Sequence, residues 1–246
     1  MEADLEKAKG WIAESERIVF FGGAGTSTES GIPDFRSAAG LYHATQGNGA
    51  PPEVMLSHTY FMEHTESFFE FYKSQMIYTE AKPNDAHKAL AALERAGKLT
   101  AVVTQNIDGL HQAAGSRNVF ELHGSVRRNR CMDCGASYDL EGMLALGGVV
   151  PRCASCGGVV KPDVVLYEEP LDQATWFGAL EAIRAADMLI VGGTSLTVYP
   201  AAGLVDEYRG GRLVLINRDE TSYDRRAGAV FRRSIGETLR ELAAGV

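Results

Sequence analysis

Apolar residues at Leu5, Ala8, Trp11 and Ile12 recur at helical spacing, and the run that follows, "RIVFFGG", is apolar without alternation and ends in glycine. This predicts an amphipathic helix and then a strand buried on both faces. In "NDAHKALAALERAGK", Asn84 is placed to cap a helix, Ala86, Leu90 and Leu93 share a face, and Gly97 is placed to end it. The segments "LTAVVTQN", "ADMLIVGGTS" and "GRLVLINRD" repeat the unalternated Val, Ile and Leu pattern of strands covered on both sides. A last helix starts at "SIGE", where Ser234 and Glu237 have the spacing of a capping box.

The repeating strand, loop and helix order predicts an α/β fold with a Rossmann-like parallel sheet. Two segments break the order. Residues 37–83 hold aromatic-rich helical matter ("YFMEHTESFFEFYKSQM"), with "GNGAPPEV" at 47–54 as a flexible loop, and residues 124–160 hold all four cysteines. The expected organisation is a nucleotide-binding domain of residues 1–36, 84–123 and 161–246. Residues 37–83 and 124–160 are read as insertions that form a smaller domain from a helical module and a metal-binding ribbon. No internal repeat or low-complexity tract is present.

Composition narrows the class. The chain has 246 residues, 45% of them hydrophobic and 23% charged, enough to bury a sizeable core. The net charge of −8 argues against a nucleic-acid partner held by the overall field. The N-terminus mixes acids with lysines and has no apolar core, so no secretory signal is read there, and no apolar run approaches the roughly 20 residues of a membrane span. A cytoplasmic protein without a membrane partner is expected.

The cysteines carry chemistry. Cys131 and Cys134, eighteen intervening residues, then Cys153 and Cys156 give two C-x2-C pairs at the spacing of a tetrahedral thiolate zinc site. Gly135 and Gly157 follow the pairs and suit tight turns around a metal. A cytosolic chain rarely keeps disulfides, which favours zinc over cystines. Four thiolates leave no open coordination position, so the metal is expected to be structural.

The glycine loop after the first strand, "GGAGTST", has Gly23 and Gly25 in a G-x-G turn, but Thr28 stands where the dinucleotide fingerprint needs a third glycine. Alone it is weak. The P-loop ending in Gly-Lys-Ser/Thr is absent, and the ribose-binding acid of a dehydrogenase is missing at the end of the second strand. Gly31 and Pro33 then break any helix and make "SGIPDFR" a loop.

Five stretches in order, "GAGTSTESGIPDFR", "TQNIDGLHQAAG", "ELHGS", the paired C-x2-C and "GTSLTVYPAAGL" followed by "LIN", closely resemble the sirtuins, NAD-dependent protein lysine deacylases. The resemblance runs from about residue 17 to the C-terminus and is to the bacterial type. Gly22, Thr26 and "VVLYEEPLD" depart from the commoner family residues, and the last departure bears on how peptide is held.

The resemblance implies NAD as co-substrate, with Gly23, Ala24, Gly25 and Thr28 beside its pyrophosphate. Asp34, Phe35 and Arg36 belong to a lid over the nicotinamide ribose. Gln105, Asn106, Ile107 and Asp108 line the ribose and nicotinamide pocket, Gly193, Thr194, Ser195 and Asn217 take the adenosine side, and Ile235 packs on adenine. Val164, Val165, Leu166, Tyr167 and Val198 hold the extended substrate peptide by main-chain pairing.

Six histidines compete for the role of base. His43, His58 and His64 lie in the helical insertion and read as surface or packing residues, while His87 and His111 fall in helical patterns and read as locally hydrogen-bonded. By the "ELHGS" match His123 is the general base, with Asn106 as the second catalytic residue and an ordinary imidazole pKa. The implied reaction transfers the acetyl group of acetyl-lysine in proteins to ADP-ribose with release of nicotinamide, and zinc takes no part.

Family members specialised for acidic acyl groups carry Tyr-x-x-Arg in the small domain. Here Tyr72 is kept and Gln75 stands at the arginine position, with Lys73 nearby, so a neutral acyl group is expected. Mono-ADP-ribosylation of proteins, removal of another acyl group and a non-enzymatic zinc module beginning at "RRNR" are the rival readings.

Overall fold

The computed structural model describes residues 2–34 and 50–245. Phe35, Arg36 and His43 therefore lie outside the described residues, as does all of the insertion before residue 50.

Six parallel strands form the main sheet in the order β3-β2-β1-β7-β8-β9. They are β1 (Ile18–Gly22), β2 (Leu99–Thr104), β3 (Val119–Glu121), β7 (Met188–Gly192), β8 (Leu213–Ile216) and β9 (Ala229–Phe231). Residues of β1 alternate between two cores. Ile18 and Phe20 pack with the helices Glu2–Glu14, Asp85–Arg95 and Ile235–Leu242 on one face. Val19 and Phe21 pack with the helix Gln173–Ala185 and the 3₁₀ segment Ala201–Glu207 on the other. This is why "RIVFF" shows no polar alternation. From β1 the order runs outward through β2 and β3 on one side and through β7 to β9 on the other. The switch point between β1 and β7 opens a crevice at their carboxyl ends, where open parallel sheets place ligands.

The caps match the sequence reading in kind. Asn84 Oδ1 accepts from Ala86 N–H, and Asn84 N–H donates to His87 Nδ1, so a histidine closes this capping box. Gly97 (φ 74°) ends the helix, with Lys98 N–H bonded to Leu93 O and Gly97 N–H to Glu94 O. At the last helix Ser234 Oγ accepts from Glu237 N–H, but the carboxylate that takes Gly236 N–H is Glu29, brought from the glycine loop.

The smaller sheet, order β5-β4-β6, is antiparallel and comprises β4 (Gly124–Cys131), β5 (Ser137–Asp139) and β6 (Val160–Val164). The expected boundary at residue 160 is therefore too early: β6 pairs with β4 through Val164↔Gly124, so residues 161–164 belong to the small sheet. The helices Pro52–Met55, His58–Glu63 and Thr65–Gln75 pack onto it. Phe61, Phe68, Phe69 and Tyr72 share one core with Val126, Cys131, Leu140, Cys153 and Val160. Two separated sequence segments thus make one hydrophobic unit. Among the described residues, no helix is long and apolar enough to cross a membrane.

Candidate active site

A cavity of about 550 Å³ lies at the switch point, between the main sheet and the small unit. Its walls include Gly23, Ala24, Gly25 and Asp34 from the first loop, Gln105 to Asp108 after β2, His123, residues 164–167 after β6, Gly193 to Ser195, Val198 and Asn217. Thr28 and Ile235 line a neighbouring recess of about 360 Å³ that shares Gly25, Asp34, Gly193 and Asn217 with it. Every described residue of the proposed NAD and peptide sites is therefore at this crevice.

The glycine loop does not become an α-helix. It forms two 3₁₀ turns, Ala24–Thr26 and Thr28–Ser30, and Gly31 (φ 82°) ends the second. The loop needs its glycines for contact with the chain after β7. A Cβ on Gly25 would lie 2.8 Å from Gly193 Cα, and one on Gly193 would lie 2.4 Å from Thr26 N. The amides of Gly23, Gly25, Thr26 and Ser27 are all bonded to backbone carbonyls, whereas those of Ala24 and Thr28 make no hydrogen bond to the described residues. Those two can turn to an anionic ligand. Thr28 Oγ1 closes the loop on Gly25 O (3.0 Å), and Asn84 Nδ2 clamps it through Thr26 O (2.8 Å).

After β2 the side chains form a chain of hydrogen bonds. Asn106 Nδ2 donates to Ser27 Oγ (3.0 Å), and Ser27 Oγ donates to Asp108 Oδ2 (2.7 Å). Asp108 Oδ1 accepts from Leu110 N–H (2.8 Å) and caps the short helix that begins there. Gln105 Nε2 donates to Thr194 Oγ1 (3.0 Å), tying the two sheet halves across the switch point. The sequence expectation named Asp108 and Asn106 but missed Ser27, which looks like one more hydroxyl in "GTSTES".

His123 Nδ1 lies 3.0 Å from Gln105 O, so Nδ1 carries the proton and Nε2 keeps the lone pair. Burial lowers its pKa and the Gln105 carbonyl opposes this in part, so it is depressed rather than ordinary. The imidazole is neutral at pH 7 and able to accept a proton.

Other histidines differ more from expectation. His87 and His111 are fully buried, with ring centroids 4.7 Å apart. His87 bonds Asn84 through Nδ1, but its Nε2 and both nitrogens of His111 have no hydrogen-bond partner among the described residues. The local bond expected of His111 is not made, because its ring packs on Phe20 and His87 instead. Burial pushes their pKa values down to about 4 for His87 and about 3 for His111. His58 bonds Glu169 (3.0 Å) and is exposed, as expected of a surface residue.

The four cysteine sulfurs lie within 4.8 Å of one another. The pairs Cys131–Cys156 and Cys134–Cys153 are 3.4 and 3.6 Å apart, too long for disulfides and close to the ~3.8 Å edge of a tetrahedron with zinc–sulfur bonds of ~2.3 Å. Gly135 (φ 73°) and Gly157 (φ 78°) make the turns that bring each pair together. The donor set fits zinc.

In the small unit the cavity is walled by Leu56, Tyr72, Gln75, Met76, Tyr78, Ile107 and Val126. Lys73 turns away and donates to Gly148 O (2.8 Å).

Comparison with known proteins agrees with this geometry. A Sir2 family model matches residues 23–200. NAD-dependent protein deacetylases of Clostridium acetobutylicum and Cutibacterium acnes are 59% and 56% identical to the chain. The first covers 96% of both chains and the second 95% of both. A solved Sir2 enzyme is 41% identical with a TM-score of 0.88, over 99% of this chain and 97% of its own. A Sir2–p53 peptide–NAD+ complex is 37% identical with a TM-score of 0.85, over 97% of this chain and 96% of its own. With the crevice, the half-buried His123 and the cysteine cluster all in place, the chain belongs to the Sir2 family.

Proposed function

We propose that this protein is an NAD-dependent protein lysine deacetylase that transfers the acetyl group of acetyl-lysine to ADP-ribose and releases nicotinamide. The observation that carries the reading is His123. Its proton is fixed on the Gln105 side, its other nitrogen serves as the base, and it shares one cavity with the glycine loop and the 164–167 segment.

NAD, when bound, supplies an ADP-ribosyl acceptor for the acyl group, with nicotinamide as the leaving group. The Ala24 and Thr28 amides would hold its pyrophosphate, with Gly23 and Gly25 allowing the backbone to come close. Gln105, Ile107 and Asp108 would line the ribose and nicotinamide end, with Asp34 beside them. Gly193, Thr194, Ser195, Asn217 and Ile235 would take the adenosine end. Phe35 and Arg36 are assigned to the lid by sequence.

His123 Nε2 would accept a proton from the ribose end of the bound co-substrate. Asn106 lines the same cavity and commits its carboxamide nitrogen to Ser27 Oγ, so its carboxamide oxygen is not used in the Ser27 and Asp108 network. Apolar walls from Leu56, Ile107 and Val126 keep water from the reacting bond. The cysteines hold zinc as a staple for the small unit and contribute no group to this step.

Substrates are proteins with short neutral acyl-lysines. Val164, Val165, Leu166, Tyr167 and Val198 form the walls of the peptide groove. Four cysteines without a disulfide among them suit a reducing compartment, and the cytoplasm is the proposed location.

The test is to incubate an acetyl-lysine peptide with the protein, with and without NAD, and to follow peptide and O-acetyl-ADP-ribose by mass, using His123→Ala as control. NAD-dependent loss of acetyl that vanishes in the variant supports the reading. NAD cleavage that labels protein and leaves acetyl in place would move the assignment to an ADP-ribosyltransferase.

A further inference from the structure

The edge proposed to take the peptide does not continue as a regular strand. β6 ends at Val164, and the next amides turn to the protein itself. Val165 N–H donates to His123 O (2.9 Å), Leu166 N–H to the Glu169 carboxylate (2.9 Å) and Tyr167 N–H to Leu56 O (3.0 Å). These three donors are not available to a bound peptide. The Glu168 N–H, next in line, makes no hydrogen bond to the described residues.

Glu168 also has φ 76°, in the left-handed region where a side chain is strained and glycine is the ordinary occupant. Here a glutamate occupies it, exposed on the cavity wall with Tyr167, Val198 and Tyr199. Its carboxylate is already engaged. Oε2 accepts from Thr59 N–H (2.9 Å) and from Thr59 Oγ1 (2.7 Å), across 109 residues of sequence. Both bonds hold its pKa below the usual carboxylate range.

The same two stretches are joined by the backbone. His58 N–H donates to Tyr167 O (2.9 Å), and the Tyr167 amide donates to Leu56 as above. The peptide edge is thus strapped to the start of the helix His58–Glu63, and the Glu168 side chain supplies a clasp that a glycine at this position cannot make.

We propose that Glu168 is a positioning residue for substrate: its clasp on Thr59 holds a left-handed turn that keeps the Glu168 main chain available to pair with the acyl-lysine peptide. This rests on the deacetylase reading above.

The test compares Glu168→Ala, Glu168→Gln, Glu168→Gly and Thr59→Val in steady-state deacetylation of an acetyl-lysine peptide, with melting temperatures measured alongside. Glu168→Ala should raise the peptide KM about tenfold while kcat and the KM for NAD stay within about twofold, since only peptide binding is touched. Glu168→Gln keeps an acceptor oxygen and should recover most of the loss. Glu168→Gly removes the strain and the clasp together, so the peptide KM should rise with no fall in melting temperature. A residue with only a structural role would move KM and stability together. Thr59→Val keeps its amide and should raise the peptide KM about threefold, which carries the test if Glu168→Ala folds poorly. An unchanged peptide KM in Glu168→Gly and Thr59→Val, in a protein that deacetylates, would overturn the clasp and leave the deacetylase standing. A wild-type protein that removes no acetyl group would overturn both.

Discussion

His123 Nδ1 sits 3.0 Å from the main-chain oxygen of Gln105, the residue that also donates through Nε2 to Thr194 across the sheet's switch point. The base and the cofactor crevice are therefore set by one residue. His123→Ala should lower kcat about 10²–10⁴-fold, the usual contribution of a positioned base. Because burial depresses its pKa, the imidazole stays neutral to a lower pH than a free one. The acid limb of kcat/KM should then fall with a midpoint below about 6.5, the ordinary histidine value. A pH–rate profile with its acid midpoint above that value would contradict the burial argument.

What the sequence showed and what it hid follow from range. β1 was legible in "RIVFF" because both its faces are covered, and the metal cluster was legible because C-x2-C is a local spacing. The Ser27 contact to Asp108 spans 81 residues and the Glu168 contact to Thr59 spans 109, so neither leaves a periodic trace. The expected domain boundary at residue 160 falls short for a related reason. β6 pairs with β4, and nothing local marks residues 161–164 as partners of Arg130, Asn129, Ser125 and Gly124 rather than of the main sheet. Gly193, expected as a ligand contact, lines both recesses of the crevice and is also packed on the glycine loop, a requirement visible only when both loops meet.

The buried pair His87 and His111 makes a stability prediction. Both pKa values are depressed, to about 4 and about 3, so between those values and about 6.5 the unfolded chain binds protons that the folded chain refuses. Stability is fully present above the unfolded value and is lost as pH falls from 6.5 toward 3. The Asp108 and Glu29 carboxylates soften the effect at His87. His111 has only burial and its histidine neighbour, both acting downward, and neither ring nitrogen has a partner among the described residues. His111→Phe should therefore flatten the slope of unfolding free energy by ~1.4 kcal/mol per pH unit in this window. Urea melts at pH 4.5, 5.5 and 6.5 measure it, and an unchanged slope would sink the account.

Zinc removal should act through the small unit's core. Cys131 and Cys153 pack with Phe61, Phe68, Leu140 and Val160, in a cluster separate from the two cores of the main sheet. A strong chelator, or Cys153→Ser, should release the metal and unfold this unit first, giving a melt with two transitions and loss of deacetylation. Structural zinc in small modules is worth ~10–16 kcal/mol of apparent binding energy, so the effect should be large. Metal content and circular dichroism are the readouts. Metal-free protein with the original melting curve would show that the cysteines are not a folding element.

Acyl preference should follow one wall of the cavity. Tyr72 and Gln75 both line it, Tyr72 is fully buried with a hydroxyl that has no hydrogen-bond partner among the described residues, and the only cation on that helix, Lys73, is bonded to Gly148 instead. Arg127 also lines the cavity but is paired with Glu141 (3.4 Å), so the wall at Tyr72 and Gln75 offers polar neutral groups and apolar carbon, which suits acetyl and penalises a buried carboxylate without a counter-charge. Gln75→Arg adds a planar cation that pairs with carboxylates through two parallel hydrogen bonds. The variant should raise kcat/KM for succinyl-lysine at least about tenfold and lower that for acetyl-lysine, a change worth ~1.4 kcal/mol for each tenfold. Parallel assays with both peptides at fixed NAD measure the ratio. If acetyl turnover falls and succinyl turnover does not rise, Gln75 is not at the acyl end of the cavity, and the acyl group must be read by residues nearer Leu56 and Ile107.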